Sequence, residues 1–288
     1  MAPFNEKKVP HDEELIKRLD SIALSLRRDS LIMTTTAGSG HIGGSLSAAE
    51  IVAALYFHHI RHDPKNPEWE DRDRFILSKG HACPVVYAAL AKAGYFPREE
   101  LWKLRKIGSI LQGHPDMRRT PGIETSTGTL GQGLSIGEGM ALAARLDGKA
   151  HRVYVLLGDG ELDEGQVWEA AMSASHYRID NLTAIVDLNS HQLSGSTDKV
   201  MSLKPVADKW RAFGWHVIEI DGHQMKQILD SLDEAEKIKG RPVVIIARTN
   251  KGKGVSFIEK SFAGGRCRYH GIPLTESELA QALEELHE

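Results

Sequence analysis

Two apolar runs, each ending in oxygen-bearing residues, constrain this chain more than any other feature. Val153 to Leu157 reads as a buried strand that breaks at Gly158, Asp159 and Gly160, and Leu182 to Val186 reads as a second that ends on Asp187, Leu188 and Asn189. A helical segment separates them, and a strand, helix, strand succession returns the chain beside its starting point as a parallel pair. Asp159 and Asn189 lie thirty positions apart (159 to 189), so the two side-chain oxygens are expected at one edge of one sheet. The glycines around Asp159 let the backbone turn tightly and approach a ligand closely.

A hard cation such as Mg²⁺ takes few protein oxygens, keeps its octahedron, and fills the remaining positions with water and phosphate. One carboxylate, one amide and a nearby backbone carbonyl make such a set; the same kind of oxygen ligand also serves Ca²⁺. A helix beginning near Glu161 is expected to offer unpaired N–H groups to a phosphate at the same edge. The combined expectation is a Mg²⁺-diphosphate site at the carboxyl ends of parallel strands, where open α/β sheets place their ligands. Glycine-flanked aspartates are common at ordinary turns, so the GDG triplet gains its weight from the asparagine that closes the second strand.

The chain has 288 residues, 41% of them hydrophobic and 26% charged, enough for one sizeable core, and is read as a single domain over 1–288. A net charge of −3 and a pI near 6.5 give no reason to expect nucleic acid or an anionic membrane as a partner. Cys83 and Cys267 are too few for a disulfide framework or a zinc cluster, and the start MAPFNEKKVP has no apolar signal core. With no apolar run of the roughly 18 residues a bilayer needs, the expected location is the cytoplasm.

Along the chain, Leu15, Leu19, Ile22 and Leu26 predict an amphipathic helix, and Ser47 with Glu50 predict a capping box for a helix through Ala53, Leu55 and Tyr56. Arg74 to Leu77 reads as a strand, Pro97 with Glu99 and Glu100 as a helix start, Leu134 to Leu146 and Lys204 to Phe213 as helices. Trp215 to Ile220 and Val243 to Ala247 read as strands around the helix Gln224 to Ile238. SFAGGRCRYHGI reads as a loop, followed by a last helix capped by Thr275 and Glu278. Continuous apolar strands separated by helices predict an α/β fold, a mostly parallel sheet with helices on both faces.

Four histidines occupy glycine-containing loops: His41 in SGHIGG, His81 in SKGH, His114 in QGHP and His270 in YHG. Singly, each reads as a solvated or structurally satisfied residue. Together they suggest imidazoles converging on a ligand, because the loops at one edge of a sheet can meet there.

SGHIGGSLS, LSKGHA, GHPD, GIETSTGTLGQG, GDGELDEG and YHG, in that order from about Thr34 to Gly271, resemble the motif series of transketolase, a thiamine-diphosphate enzyme. The resemblance implies the diphosphate domain of the thiamine-diphosphate-binding fold. Asp159, Asn189 and the backbone carbonyl of His191 would hold the metal. Gly128, Thr129, Leu130, Gly158 and Gly160 would line the cofactor, and Leu193 would pack near its rings. By the same comparison His41 and His270 serve the substrate hydroxyl that loses its proton, and His81 and His114 contact the diphosphate side and the terminal hydroxyl of the donor. Glu164 matches a carboxylate that links two active sites across the interface of the assembly.

The family's chemistry moves a two-carbon ketol unit from a ketose phosphate to an aldose phosphate, a reaction of the pentose phosphate pathway. It also needs a glutamate from a pyrimidine-binding domain, which this sequence lacks. The resemblance therefore implies a split enzyme, with the pyrimidine and carboxy-terminal domains on a second transketolase subunit, within an α₂β₂ assembly. The alternatives are a related ketol-transferring component, 1-deoxyxylulose-5-phosphate synthase-like or a sulfosugar transketolase, and a non-catalytic binding subunit. Three positions depart from the family pattern: the basic stretch Arg266, Cys267, Arg268, Tyr269; Ser190 and His191 in place of a glycine and an aliphatic residue; and Thr129 in place of a frequent proline.

Overall fold

The computed structural model describes residues 11–287, so the stretch MAPFNEKKVP lies outside the described residues. The strands are β1 (Arg74–Leu77), β2 (Val153–Gly158), β3 (Leu182–Leu188), the two-residue β4 (His191–Gln192) and β5 (Gly195–Ser196), β6 (His216–Asp221) and β7 (Val243–Arg248). Five of them form one parallel sheet in the order β1-β2-β3-β7-β6, while β4 and β5 pair as a small antiparallel hairpin. The expected α/β architecture is what forms.

The apolar runs are continuous because both faces of the sheet are covered. Along β2, Tyr154 and Leu156 enter one core while Val153, Val155 and Leu157 enter the other, the two-residue alternation of a strand. The first core packs under the helices Glu13–Ala37, Cys83–Ala93 and Met225–Lys237; the second lies under Gln132–Leu146 and Gly165–His176, with Trp210 and Trp215 fully enclosed. Gly137 is the contact that lets the helix Gln132–Leu146 lie close on β2, since a Cβ there would stand 2.5 Å from Val155 Cγ2. A third cluster joins Leu31, Ile42 and Leu46 to Ile258, Phe262 and Leu286, fastening the carboxy-terminal helices to the first helix. No helix among the described residues is long and apolar enough to cross a membrane.

Several boundaries depart from the sequence expectations. Ser47 and Glu50 form no capping box: Ser47 ends the short helix Gly43–Ser47, and the next helix, Ala49–Ala54, has no side-chain cap. It passes into a π-helical turn at Leu55–His59. After Pro97 comes a 3₁₀ turn, Arg98–Lys103, rather than an α-helix. The segment read as opening a loop at Ser261 is the end of a helix, Ser256–Ala263, too short for its periodicity to stand out. Thr275 and Glu278 do form the expected capping box.

Ser47 and Glu50 both serve tertiary contacts instead. The Glu50 carboxylate receives Arg27 Nη2 at 2.7 and 2.6 Å and faces His223 Nδ1 at 3.2 Å, all within the protein. Burial pushes this carboxyl up, but Arg27 and His223 outweigh it and hold it below its ordinary value of 4.5. Removing one partner of a buried pair leaves the other charge uncompensated, so Arg27→Ala should cost about 3–5 kcal/mol. Replacing both, Arg27→Met with Glu50→Leu, should cost far less, which urea denaturation of the double-mutant cycle will show. Because the folded carboxyl is depressed, the contribution of the pair is complete above about pH 4.5 and disappears as the pH falls below it.

Candidate active site

The carboxyl ends of β1, β2, β3 and β7 lie side by side, and the buried charged residues Lys79, Asp159, Glu161, Asp187 and Lys251 sit at or just past them. At the centre of this group is Asp187, with no exposed surface. Its Oδ2 receives Ser47 Oγ at 2.6 Å and Asn189 Nδ2 at 3.0 Å and pairs with Lys79 Nζ; its Oδ1 receives the Thr249 hydroxyl. Burial would raise this carboxyl, yet Lys79 and the hydroxyl donors keep it below the ordinary carboxylate range. The contact with Asp187 also turns the Asn189 amide so that its oxygen faces the loop, where it accepts His191 N–H at 3.1 Å.

Asp159 follows β2. Its Oδ1 accepts Gly160 N–H at 2.9 Å and its Oδ2 accepts the Ser190 amide, so the two strand ends are tied through the carboxylate itself. Ser190 has φ 64°, the left-handed region that favours glycine, the residue that the resemblance leads one to expect there. A Cβ at Gly160 would stand 2.7 Å from Gln192 Cβ, so the GDG turn must keep its second glycine. Burial, then the neighbouring Asp187, push the Asp159 carboxyl up, while burial lowers Lys251, whose Nζ donates to the His191 carbonyl at 2.7 Å.

The long helix expected near Glu161 begins at Gly165 instead; Gly160–Asp163 is a 3₁₀ turn. Glu161 is buried and occupies the amides an anion would need there: Oε1 accepts Gly131 N–H at 2.9 Å and the Ser78 hydroxyl, and Oε2 accepts Gly158 N–H at 3.0 Å. One carboxylate thus locks the end of β1, the glycine-rich loop and the GDG turn together.

The four loop histidines do converge. Ring centroids of His41 lie 5.2 Å from His81, 5.6 Å from His270 and 6.3 Å from His114, and His81 is 5.3 Å from His270. His114 is set by Tyr87, whose hydroxyl lies 3.0 and 3.1 Å from the carbonyls of Gln112 and His114. Burial first, and then nearby cations, lower His41 to about 4 and His270 to about 3, and burial with Lys79 takes His81 well below the usual value. All three are neutral imidazoles near pH 7. Lys251 Nζ stands 3.0 Å from His270 Nδ1; while the lysine is an ammonium it can only donate, which leaves the proton of His270 on Nε2.

A cavity of about 220 Å³ joins these groups. His41, His81 and His270 line it, together with Gly128, Leu130, Gly158, Asp159, Gly160, Asn189, His191 and Leu193. Thr129 is exposed beside it, and His114 reaches the group through its contact with His41. Glu164 stands apart: it is exposed, N-caps Gly165–His176 without a side-chain bond, and packs against Gly131. Sequence reading missed the charged lining, Lys79, Lys251 and Glu161. A lysine two residues past β1 and another three past β7 were visible, but strand ends carry many solvated lysines, and only strand order brings these two to one carboxylate pair. A larger cavity, about 410 Å³, lies on the other side of Asp159, towards Arg211 and Arg248.

The residues suit the group that the sequence pattern implies. Among the described residues no three His, Cys, Asp or Glu side chains are arranged as a metal site; the set that the resemblance implies is one carboxylate, one amide and one carbonyl. Two adjoining buried carboxylates, Asp159 and Asp187, favour a cation beside them, and His41 Nδ1 is buried at the cavity with no partner among the described residues.

Residues 20–287 match the family model described as transketolase, thiamine diphosphate binding domain. The chain belongs to the transketolase family. It is 50% identical over 249 residues to the 6-deoxy-6-sulfo-D-fructose transketolase subunit of Clostridium sp. (strain MSTE9), covering 86% of this chain and 89% of that one. It is 44% identical over 252 residues to an apulose-4-phosphate transketolase subunit of Phocaeicola vulgatus, 88% of each. The transketolase structure from Campylobacter jejuni superposes with a TM-score of 0.88 at 35% identity, over 94% of this chain and 43% of that one. The chain thus spans most of the two transketolase subunits and less than half of the solved transketolase.

This domain should lose stability in mild acid. The unfolded chain binds protons at His41 and His270 below about pH 6.5, while the folded chain refuses them until about 4 and about 3. Protons therefore favour unfolding across that window, so stability falls as the pH falls. The double variant His41→Asn/His270→Asn should show a shallower decline when urea midpoints are compared from neutral pH to about pH 4.

Proposed function

We propose that the chain is the diphosphate-binding subunit of a split transketolase, transferring a two-carbon ketol unit with thiamine diphosphate and Mg²⁺. The observation that carries this is the single cavity shared by Asp159, Asn189 and the His191 carbonyl with His41, His81 and His270. Those three oxygens would hold the metal, Gly128, Thr129, Leu130, Gly158 and Gly160 would line the cofactor, and Leu193, 66% exposed at the mouth, would pack near its rings. Thiamine diphosphate supplies the electron sink that lets a carbon–carbon bond beside a ketose carbonyl break. His41 and His270, neutral near pH 7, take the hydroxyl proton released at that step, and His81 with His114 orients the donor.

Full-length transketolases place the pyrimidine and carboxy-terminal domains in the same chain. Here they belong on a second subunit, in keeping with relatives that are themselves named subunits and are matched over 88–89% of their length. An α₂β₂ assembly, with Glu164 at the interface between active sites, agrees with the exposed Leu146, Met172 and Tyr177 on the helix pair that flanks the GDG turn. The donor is a ketose phosphate; the 50% identical relative favours a second reading in which 6-deoxy-6-sulfo-D-fructose is the donor.

The chain alone should give no ketol transfer, and addition of a polypeptide with a pyrimidine domain should restore it. Assaying ketose phosphates beside 6-deoxy-6-sulfo-D-fructose separates the two donors. Robust turnover by the 288-residue chain by itself would overturn the split-enzyme reading. Asp159→Ala should abolish Mg²⁺-dependent cofactor binding in the assembled enzyme with the circular dichroism unchanged, because an incomplete oxygen set does not hold the octahedron; unchanged affinity, read by calorimetry, would remove Asp159 from the metal site.

A further inference from the structure

His191 contributes a backbone carbonyl to the reading above, and a carbonyl makes no demand on its side chain. The ring is nonetheless engaged at both nitrogens: Nδ1 lies 3.0 Å from the Asn189 carbonyl, and Nε2 lies 2.8 Å from the carbonyl of Phe262, seventy-one positions further on. A ring nitrogen that carries its proton donates to the carbonyl it faces, Nδ1 to Asn189 and Nε2 to Phe262. Phe262 is in the last turn of the helix Ser256–Ala263, and its ring, 1% exposed, packs 5.5 Å from the imidazole. The helix leads within a few residues to Arg268–His270, the turn that carries His270 into the cavity.

We propose that the His191 side chain is a positioning residue that ties the loop Asn189–Leu193 to the end of the helix Ser256–Ala263, and so sets where His270 stands. A second path runs beside it: Lys251 Nζ bridges the His191 carbonyl at 2.7 Å and His270 Nδ1 at 3.0 Å. The two together make the position of the metal-side loop and that of the substrate-side histidine one mechanical unit. An aliphatic residue in place of His191 keeps the carbonyl and the lysine bridge but loses the tie to Phe262. This coupling between the two loops depends on the ring and not on the carbonyl, and it lies next to the segment Ala263–Cys267, whose glycines give it little stiffness of its own.

The coupling rests on the proposed cofactor site, but its first test does not need the cofactor. Amide exchange of the full chain, followed by mass spectrometry, should be faster over residues 262–271 in His191→Phe, by roughly 2- to 10-fold, the range for one lost hydrogen bond. Exchange in β2 and β3 should be unchanged, and His191→Gln, which restores a donor, should recover much of the protection. Unaltered exchange over 262–271, or acceleration spread evenly over the chain, would reduce the ring to ordinary packing; should the phenylalanine not fit, His191→Leu makes the same comparison. With Mg²⁺ and thiamine diphosphate added, the wild-type chain should be protected over both 188–193 and 262–271, and His191→Phe over 188–193 alone. Protection of both segments in the variant would overturn the coupling. Absence of protection in either segment of the wild type would count against the cofactor site and leave the ligand-free comparison to decide the tie.

Discussion

The pairing of Asp187 with Lys79 inside the sheet edge is the interaction on which the rest of the site depends. A carboxylate with no exposed surface is tolerable only when its charge is matched and its lone pairs are used. Asp187 meets that requirement by drawing a partner from each neighbouring element: Lys79 after β1, Ser47 before Ala49–Ala54, Asn189 after β3 and Thr249 after β7. Satisfying one buried charge thus fixes four chain segments, and it also orients the amide of Asn189. Glu161 does the same on the other side, through Ser78, Gly131 and Gly158.

Around Asp187 the charge pattern is one of near balance. Asp159 and Asp187 face Lys79 and Lys251 within one buried region, and burial moves Asp159 up and Lys251 down, towards their neutral forms. A divalent cation at the Asp159, Asn189 and His191 oxygens would reverse that tendency for Asp159. The histidines around the cavity stay neutral for a related reason: burial and the lysines both oppose further positive charge. Unprotonated imidazoles of this kind are what the proposed transfer of a proton from a sugar hydroxyl requires.

Much of this was legible in the sequence. The strands β2, β3 and β7 were readable as apolar runs because both faces of the sheet are buried along them, β6 as a more mixed run at the partly exposed edge, and the GDG turn and Asn189 were readable because they end the runs of β2 and β3. The glycine-loop histidines could be nominated as a group. What could not be read were contacts that use a locally ordinary residue for a distant purpose. Ser47 and Glu50 have the spacing of a capping box, but their side chains go instead to Asp187 and Arg27, 140 and 23 positions away. Glu161 looks like a helix-start acid and is an internal clamp.

The sequence by itself determined the layer architecture and the strand ends that carry Asp159 and Asn189, because hydrophobic periodicity and turn chemistry are local properties; Gly128, Leu130, His191 and Leu193 entered only through the resemblance to a family. Only the tertiary structure decided which charges face each other, that Lys79 and Lys251 belong to the site, and that the His191 ring reaches Phe262. Those facts depend on the strand order β1-β2-β3-β7-β6, which sets β7 between β3 and β6 and brings residues near 251 and 262 to the end of β3. Strand order is settled by how two cores close on opposite faces of one sheet, and no window of neighbouring residues contains that information.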